Sequence, residues 1–245
     1  MSFVTAQAQL PDHILEGALI DGQTIIKGDL MGPIFRNFDF SVERVLAKRM
    51  SINLSFRFMP MGKIPFLPVF KKTFGDFEGY LDNLKMKTLA LTPEVRIYLG
   101  EEGYGKGIYV APYYHYLTLD PGDYHLEGNF FEGKNEKLTL KGALTTHSGG
   151  LMIGYQWMLG AKKNFLIDWG IFGLHYGNSS GVFNGNTTYT MTQEDQAEVK
   201  KQINEKLSQI SQFTFTTEIS PHSATVTEKG PWLFFRSYFS IGWRF

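Results

Sequence analysis

The sequence predicts an all-β protein, specifically a transmembrane antiparallel up-and-down β-barrel of about eight strands. Apolar and polar residues alternate in many segments, as they do in strands with two different faces. The last segment carries Phe239, Ile241, Trp243 and Phe245 on one face and polar residues on the other, which suits a strand between lipid and a polar interior. No apolar run approaches the roughly 20 residues of a spanning helix, so any membrane span must consist of strands.

The alternating segments divide residues 24–245 into the strands of one barrel domain. In a typical segment, Ile52, Leu54 and Phe56 alternate with Asn53 and Ser55. An even number of strands is usual for a single-chain barrel. The predicted strands are residues 24–33, 37–47, 49–60, 86–99, 107–119, 138–158, 163–176 and 232–245.

The predicted connections alternate between short turns and long loops. Long loops occupy 61–85, 120–137 and 177–231. Outer-membrane barrels have short periplasmic turns and long extracellular loops, so both termini are expected on the periplasmic side. Loops 61–85 and 177–231 form the predicted interaction surface. The first is unusually apolar for a loop in water, and its apolar residues include Ile64, Phe66, Leu67, Val69, Phe70, Phe74 and Phe77.

Three positions interrupt the strand pattern. Pro93 and Pro112 lie inside predicted paired strands, where proline removes a ladder hydrogen bond, so we expect bulges there. The alternation also slips between Leu144 and Leu151, which predicts a bulge or loop at that point.

A short helix is predicted within loop 177–231. Thr192 and Asp195 have the spacing of a capping box, and Val199, Ile203 and Leu207 follow at helical spacing. Ile210 continues the stripe. The helix is either a lid or partner-binding element over the barrel mouth or an element packed on neighbouring loops, and the second interpretation is preferred.

The N-terminal segment, 1–23, resembles the remnant of a signal peptide. Ala6-Gln7-Ala8 has the form of a signal-peptidase site, although no charged leader precedes it. A chance match is the alternative interpretation.

Charge and composition restrict the possible partners and cofactors. The chain has 24 basic and 24 acidic residues, and a neutral chain lacks the basic excess that binds nucleic acid. With no Cys it has no disulfides or thiolate ligands. The histidines show no metal-ligand spacing, so neither a metal nor a cofactor is expected.

The interior of an eight-stranded barrel is just wide enough to be filled by side chains. The inward face is predicted to carry five cations and five anions together with one histidine. Balanced charge suggests mutual pairing, either as a plug without an open pore or as a polar path for ions, and the barrel size favours the plug. These residues are Lys27, Asp29, Asp39, Glu43, Arg57, Glu94, Arg96, His115, Asp168, Arg236 and Arg244.

Four strings of residues resemble a family of small outer-membrane β-barrels of unknown function found in Bacteroidota. They are Phe40 to Leu46, Pro93 to Leu99, Ile167 to Gly177, and Gly230-Pro231-Trp232. The resemblance covers most of the chain. It implies location in the outer membrane of a Gram-negative bacterium, but no activity.

A second resemblance concerns His175-Tyr176-Gly177-Asn178-Ser179. This segment looks like the His-Tyr-Ser-Asn segment of lipid A 3-O-deacylases, in which a histidine activates a serine. Gly177 occupies the place of that serine, so Ser179 would have to replace it. By parity, His175 is expected on the outward face with Trp169 and Ile171.

The sequence therefore favours a non-enzymatic outer-membrane barrel with a structural or accessory role. Its expected partners are lipid and lipopolysaccharide, the barrel-assembly machinery during insertion, and other outer-membrane proteins. Phe239, Ile241, Trp243 and Phe245 are the predicted assembly signal. The alternatives are a lipid A esterase that uses His175 and Ser179, and a soluble lipocalin-like carrier of apolar ligands.

Overall fold

The computed structural model describes residues 23–63, 85–122, 124–126, 138–208 and 212–245. The strands are β1 (Thr24–Asp29), β2 (Phe38–Ala47), β3 (Met50–Lys63), β4 (Lys85–Tyr98), β5 (Gly107–Asp120), β6 (Tyr124–Leu126), β7 (Leu138–Leu159), β8 (Phe165–Asn186), β9 (Thr214–Ser220) and β10 (Ser223–Arg244). A 3-10 helix spans Gly32–Phe35, and helix α1 spans Gln193–Leu207. The N-terminal segment 1–22 and most of loop 61–85 lie outside the described residues.

Eight antiparallel strands form a ring-like sheet. The order is β1-β2-β3-β4-β5-β7-β8-β10, and β1 also pairs with β10. β6 and β9 extend the sheet by pairing with β7 and β10. The prediction of an all-β antiparallel architecture is therefore confirmed. Among the described residues, neither helix has the length and apolar character needed to cross a membrane.

Three strands are much longer than a membrane span requires. β7, β8 and β10 have 22 residues each, whereas a tilted transmembrane strand needs about 9–11. Residues 177–186 and 223–231 belong to β8 and β10. The prediction that 177–231 is a loop was therefore wrong over both of these ranges and over β9.

The irregularities of the sheet differ from the predicted ones. β4 and β5 keep one register past Pro93 and Pro112, so neither proline creates a bulge. β7 runs without interruption from Leu138 to Leu159, so the predicted break near residue 147 was wrong. A bulge occurs instead in β8, because its register against β7 and β10 shifts at Ile171 and Phe172.

The distal halves of β7, β8 and β10, together with β9 and α1, form a second layer of structure, here called the distal unit. The α1 residues Val199 and Ile203 pack with Ala224 and Val226 of β10 in a buried apolar cluster. The predicted capping box is confirmed, since the Thr192 side chain accepts from the Asp195 N–H and the Asp195 side chain accepts from the Thr192 N–H. The interpretation of α1 as a packed helix is confirmed, but the helix packs on strands β9 and β10 and not on loops as predicted.

The ring places apolar side chains outside and polar ones inside. Side chains that point outward, such as Leu54 and Leu151, are 47% and 52% exposed. Their inward neighbours are buried, and most of those are polar. This distribution is the reverse of that in a protein whose apolar core excludes water.

Candidate functional site: the charged interior of the ring

A cluster of charged side chains fills the middle of the ring, and Lys27 of β1 lies at one end of it. The Lys27 Nζ donates to Glu43 Oε2 at 2.5 Å, to Asp168 Oδ2 at 2.6 Å and to Gln156 Oε1 at 2.9 Å. Its side chain is 1% exposed. Side chains from three other strands, β2, β7 and β8, thus converge on the ammonium group of Lys27.

Arg96 of β4 lies at the centre of the same cluster. Its Nη1 donates to Asp168 Oδ2 at 2.7 Å and to Glu43 Oε2 at 3.0 Å. Its Nη2 donates to Glu94 Oε1 at 2.5 Å and to the Tyr238 hydroxyl at 2.8 Å. Arg96 therefore bridges carboxylates from β2, β4 and β8.

Arg236 of β10 extends the cluster along the axis of the ring. Its Nη1 donates to Glu94 Oε2 at 3.1 Å, and its Nη2 donates to Ser55 Oγ at 3.1 Å. Asp39 lies 4.0 Å from Arg236 Nη2 and accepts from Arg57 Nη2 at 2.8 Å. The charged chain thus runs from the Lys27 end to the partly exposed Arg57.

Three phenols that were not among the predicted interior residues complete the cluster. The Tyr98 hydroxyl donates to Glu43 at 2.7 Å, and the Tyr109 hydroxyl donates to Asp168 at 2.8 Å. Tyr109 and Tyr238 also share a hydrogen bond of 2.8 Å. The available signal was parity, since Tyr98 shares the face of Glu94 and Arg96 in β4.

The six most deeply buried charges of the cluster balance one another. Lys27, Arg96 and Arg236 are the cations, and each is at most 5% exposed. Glu43, Glu94 and Asp168 are the anions, and each is at most 3% exposed. Because an unpaired buried charge is very costly, each group requires the presence of the others.

Three of the predicted interior residues have other contacts. The Asp29 carboxylate accepts from the N–H groups of Met31, Gly32 and Phe239, so it caps the chain where β1 ends. At the opposite end of the ring, Arg244 donates to the Tyr104 carbonyl at 3.3 Å. His115 shares a 2.8 Å hydrogen bond with Thr92.

The predicted outward orientation of His175 was wrong. The β8 bulge at Ile171 and Phe172 changes the parity of the strand. Asp168 and Gly170 face inward before the bulge, and His175 faces inward after it, with 3% exposure. The sequence contained a signal of this insertion, because the apolar positions change from odd numbers up to Ile171 to even numbers from Phe172 onwards.

His175 and Ser179 do not form a base and nucleophile pair. They lie four residues apart on β8, which corresponds to about 13 Å at the rise of a strand. The Ser179 hydroxyl donates to Glu228 Oε1 at 2.8 Å, and His175 Nδ1 shares a 3.0 Å hydrogen bond with Tyr113. This arrangement does not support proton transfer from the serine to the histidine.

Outside the cluster, the end of β10 turns apolar side chains outward. Trp243 is 49% exposed and Phe245 is 61% exposed, while Phe239 and Ile241 are half-buried. Within the described residues, no group of three or more His, Asp or Glu side chains could hold a metal ion.

These features define a class of protein: a ring of antiparallel strands with an apolar exterior and a charge-balanced interior. The chain belongs to the family described as a protein of unknown function (DUF3575), which matches residues 14–205. That match includes β1 to β8 and most of α1, and therefore every ion-pair residue of the interior except Arg236. No curated protein matches the chain.

Proposed function

We propose that this protein is an integral outer-membrane β-barrel of a Gram-negative bacterium of the Bacteroidota, with a structural or accessory role. The observation that carries the proposal is the reversed distribution of polarity in the ring. Exposed apolar side chains such as Leu54 and Ile97 surround buried charges such as Arg96. A large apolar surface is unfavourable in water but matches the hydrocarbon region of a bilayer.

Where its strands pair, the ring also meets the backbone requirement of a bilayer. Strands can span hydrocarbon only when their N–H and C=O groups are paired, and a ring removes free edges. Pairing of β1 with β10 from Ile25 to Asp29 provides that closure at one end of the barrel.

The interior supports a barrel without an open pore. Lys27, Arg96 and Arg236 bind Glu43, Glu94 and Asp168 across the lumen, so the ions neutralise one another inside the wall. A barrel of eight strands is filled by such side chains. We therefore expect no stable conductance steps when the protein is reconstituted in a planar bilayer.

The distal unit supports an accessory role. β8 and β10 continue about 11 residues beyond the length that a bilayer requires. Helix α1 buries Val199 and Ile203 and leaves charged side chains such as Lys200 and Glu205 exposed. The distal unit and loop 61–85 would form the surface that contacts other outer-membrane proteins.

Membrane fractionation tests the proposal. The full chain should remain in the outer-membrane pellet after carbonate extraction and should migrate differently on gels with and without boiling, as a folded barrel does. Release by carbonate without detergent would refute membrane embedding and favour the lipocalin-like carrier. Pull-down from mild detergent then tests the accessory role, and a monomer without co-purifying proteins would contradict it.

Phe245 provides a second test, because β10 and the residue after it are the proposed signal for the assembly machinery. Phe245→Ala should lower the amount of folded protein in the outer membrane several-fold. Phe165→Ala is the matched control, since Phe165 is an outward aromatic residue opposite Trp243 on β8. Equal amounts of the two variants would contradict a special role for Phe245.

A further inference from the structure

One stretch of the barrel wall lacks a strand partner on one side. β10 pairs with β9 as far as Lys229 and with β1 from Ser240 onwards. Between them, residues 230–238 have no paired strand on that side among the described residues, although β8 covers the other side. Pro231, which has no N–H to donate, lies in this stretch, and proline in sheets is usually found at such edges.

Apolar side chains flank the unpaired edge on both sides. On β10, Leu233, Phe234 and Phe235 are 61%, 50% and 60% exposed. The chain that leaves β1 supplies the facing group, because the Leu30 N–H donates to the Phe239 carbonyl at 2.9 Å. Exposed residues of that facing group are Leu30, Met31, Ile34 and Phe35.

A row of stacked rings leads from the edge into the barrel. Phe235 stacks on Phe234 with ring centroids 5.5 Å apart, and Phe234 stacks on His175 at 6.5 Å. His175 then stacks on the buried His115 at 4.9 Å. Phe234 is therefore reachable from outside and in contact with the interior.

The edge lies at the outer boundary of the proposed apolar band. Ten residues separate Arg244 from Phe234, which corresponds to a height of about 25 Å for a tilted strand and matches the usual band. Exposed Lys229 lies just beyond the edge on β10. Exposed Lys63 lies beside the 3-10 helix, because its carbonyl accepts from Arg36 at 3.3 Å.

We propose that this edge binds a lipid A molecule, with an acyl chain against Phe234 and Phe235 and its phosphates near Lys229 and Lys63. The inference rests on the proposed function, which places the edge in the outer leaflet. Backbone polar groups cannot remain unpaired in hydrocarbon, and the glucosamine and phosphate groups of lipid A would supply partners at this depth. Exposed Lys229 and Lys63 supply positive charge for the phosphates.

Lipid retention tests the inference. Full-length protein is extracted from outer membranes in mild detergent, passed through gel filtration, and its lipid A is quantified by mass spectrometry. Phe234→Ala and Lys229→Gln should each lower the retained lipid A about tenfold. Leu151→Ala and Lys162→Gln are the controls and should retain it, because Leu151 faces lipid on a fully paired strand and Lys162 lies in the turn at the opposite end.

Photo-crosslinking in intact outer membranes tests the inference without the Phe234 substitution, which could itself cause misfolding. A benzophenone amino acid at Leu233 should crosslink lipid A several-fold more than one at Leu151. Equal crosslinking, equal retention in all variants, or retention of phospholipid alone would overturn this inference. Failure of the proposed function is distinct, because the protein would then be absent from the carbonate-resistant outer-membrane pellet.

Discussion

The two halves of β10 present opposite patterns of polarity. From Leu233 to Trp243, the odd-numbered residues are mostly apolar and point outward, while Arg236 and Ser240 are buried inside. From Ser223 to Lys229, the even-numbered Ala224 and Val226 are buried, and polar residues alternate with them. In one half of β10 the apolar side chains point outward, and in the other half they are buried. This difference indicates that the surroundings of the strand change near Gly230.

The two halves are also stabilised by different interactions. The ring is stabilised by pairs of opposite buried charges around Arg96. Removing one member of a pair leaves the other charge buried and unpaired, which lowers the stability of the ring. The distal unit depends on an apolar cluster around Val199 and Ile203, which fails when a cavity is made. Substitutions in each region should therefore affect that region and spare the other.

The largest expected effect comes from Arg96→Met. The substitution leaves Glu43, Glu94 and Asp168 with too few cations, and breaking a buried pair in this way costs about 3–5 kcal/mol. Urea unfolding of the purified protein, followed by its gel mobility without boiling, measures the loss of unfolding free energy. Lys106→Met is the control, because its pair with Glu102 is exposed and worth at most about 1 kcal/mol. Similar losses of unfolding free energy in Arg96→Met and Lys106→Met would contradict a stabilising role of the buried charges.

Ile203→Ala should damage only the distal unit. The cavity left by a buried isoleucine costs about 2–5 kcal/mol, so limited proteolysis should cleave near α1 much faster than in the wild type. The ring should keep its urea midpoint. Lys201→Ala, at an exposed position of the same helix, should change neither measurement. A lower ring midpoint for Ile203→Ala would show that the two regions unfold together.

Leu54→Lys tests what surrounds the ring. In lipid, a lysine near the middle of the apolar band costs about 2–4 kcal/mol, whereas an exposed substitution in water stays within about 0.5 kcal/mol. The unfolding free energy in lipid vesicles measures the difference. Asn186→Lys, at an exposed position in the distal half of β8, should be neutral. A neutral Leu54→Lys would place the outer face of the ring in water.

The smallest effect concerns Glu228, which lies in the distal half of β10 beyond the proposed membrane span. Burial raises the pKa of Glu228, and the hydrogen bond from Ser179 lowers that pKa only in part. Because the folded-state pKa exceeds the unfolded one, the protonated form is favoured by folding. Stability of the distal unit should therefore be highest below the unfolded pKa and decrease as pH rises through the folded pKa.

Glu228→Gln should remove that pH dependence and leave the distal unit at least as stable at pH 7. The measurement is the rate of proteolysis of the wild type and of Glu228→Gln, from pH values below the unfolded pKa to values above the folded pKa. Glu218→Gln, at an exposed position of β9, serves as the control and should keep the wild-type pH profile. An unchanged profile for Glu228→Gln would assign the effect to another group.

Local pattern predicted much of the charged interior. Alternation alone placed Glu43, Glu94, Arg96 and Asp168 on the inner face, where the structure brings them into contact. Parity also placed Tyr98 on that face, but parity does not indicate that the hydroxyl of a tyrosine joins a network of charges. It also misplaced His175, because a one-residue bulge reverses every later side chain.

Residue order determined the strands of the ring and the capped helix α1, because period-2 alternation and a capping box depend only on near neighbours in the chain. Tertiary structure decided the length of β8 and β10, the orientation of His175 and the partners of each buried charge. Those features depend on what lies across the sheet or beyond it. Strands of the ring and strands packed against α1 both alternate, but only packing determines whether the apolar face is exposed or buried.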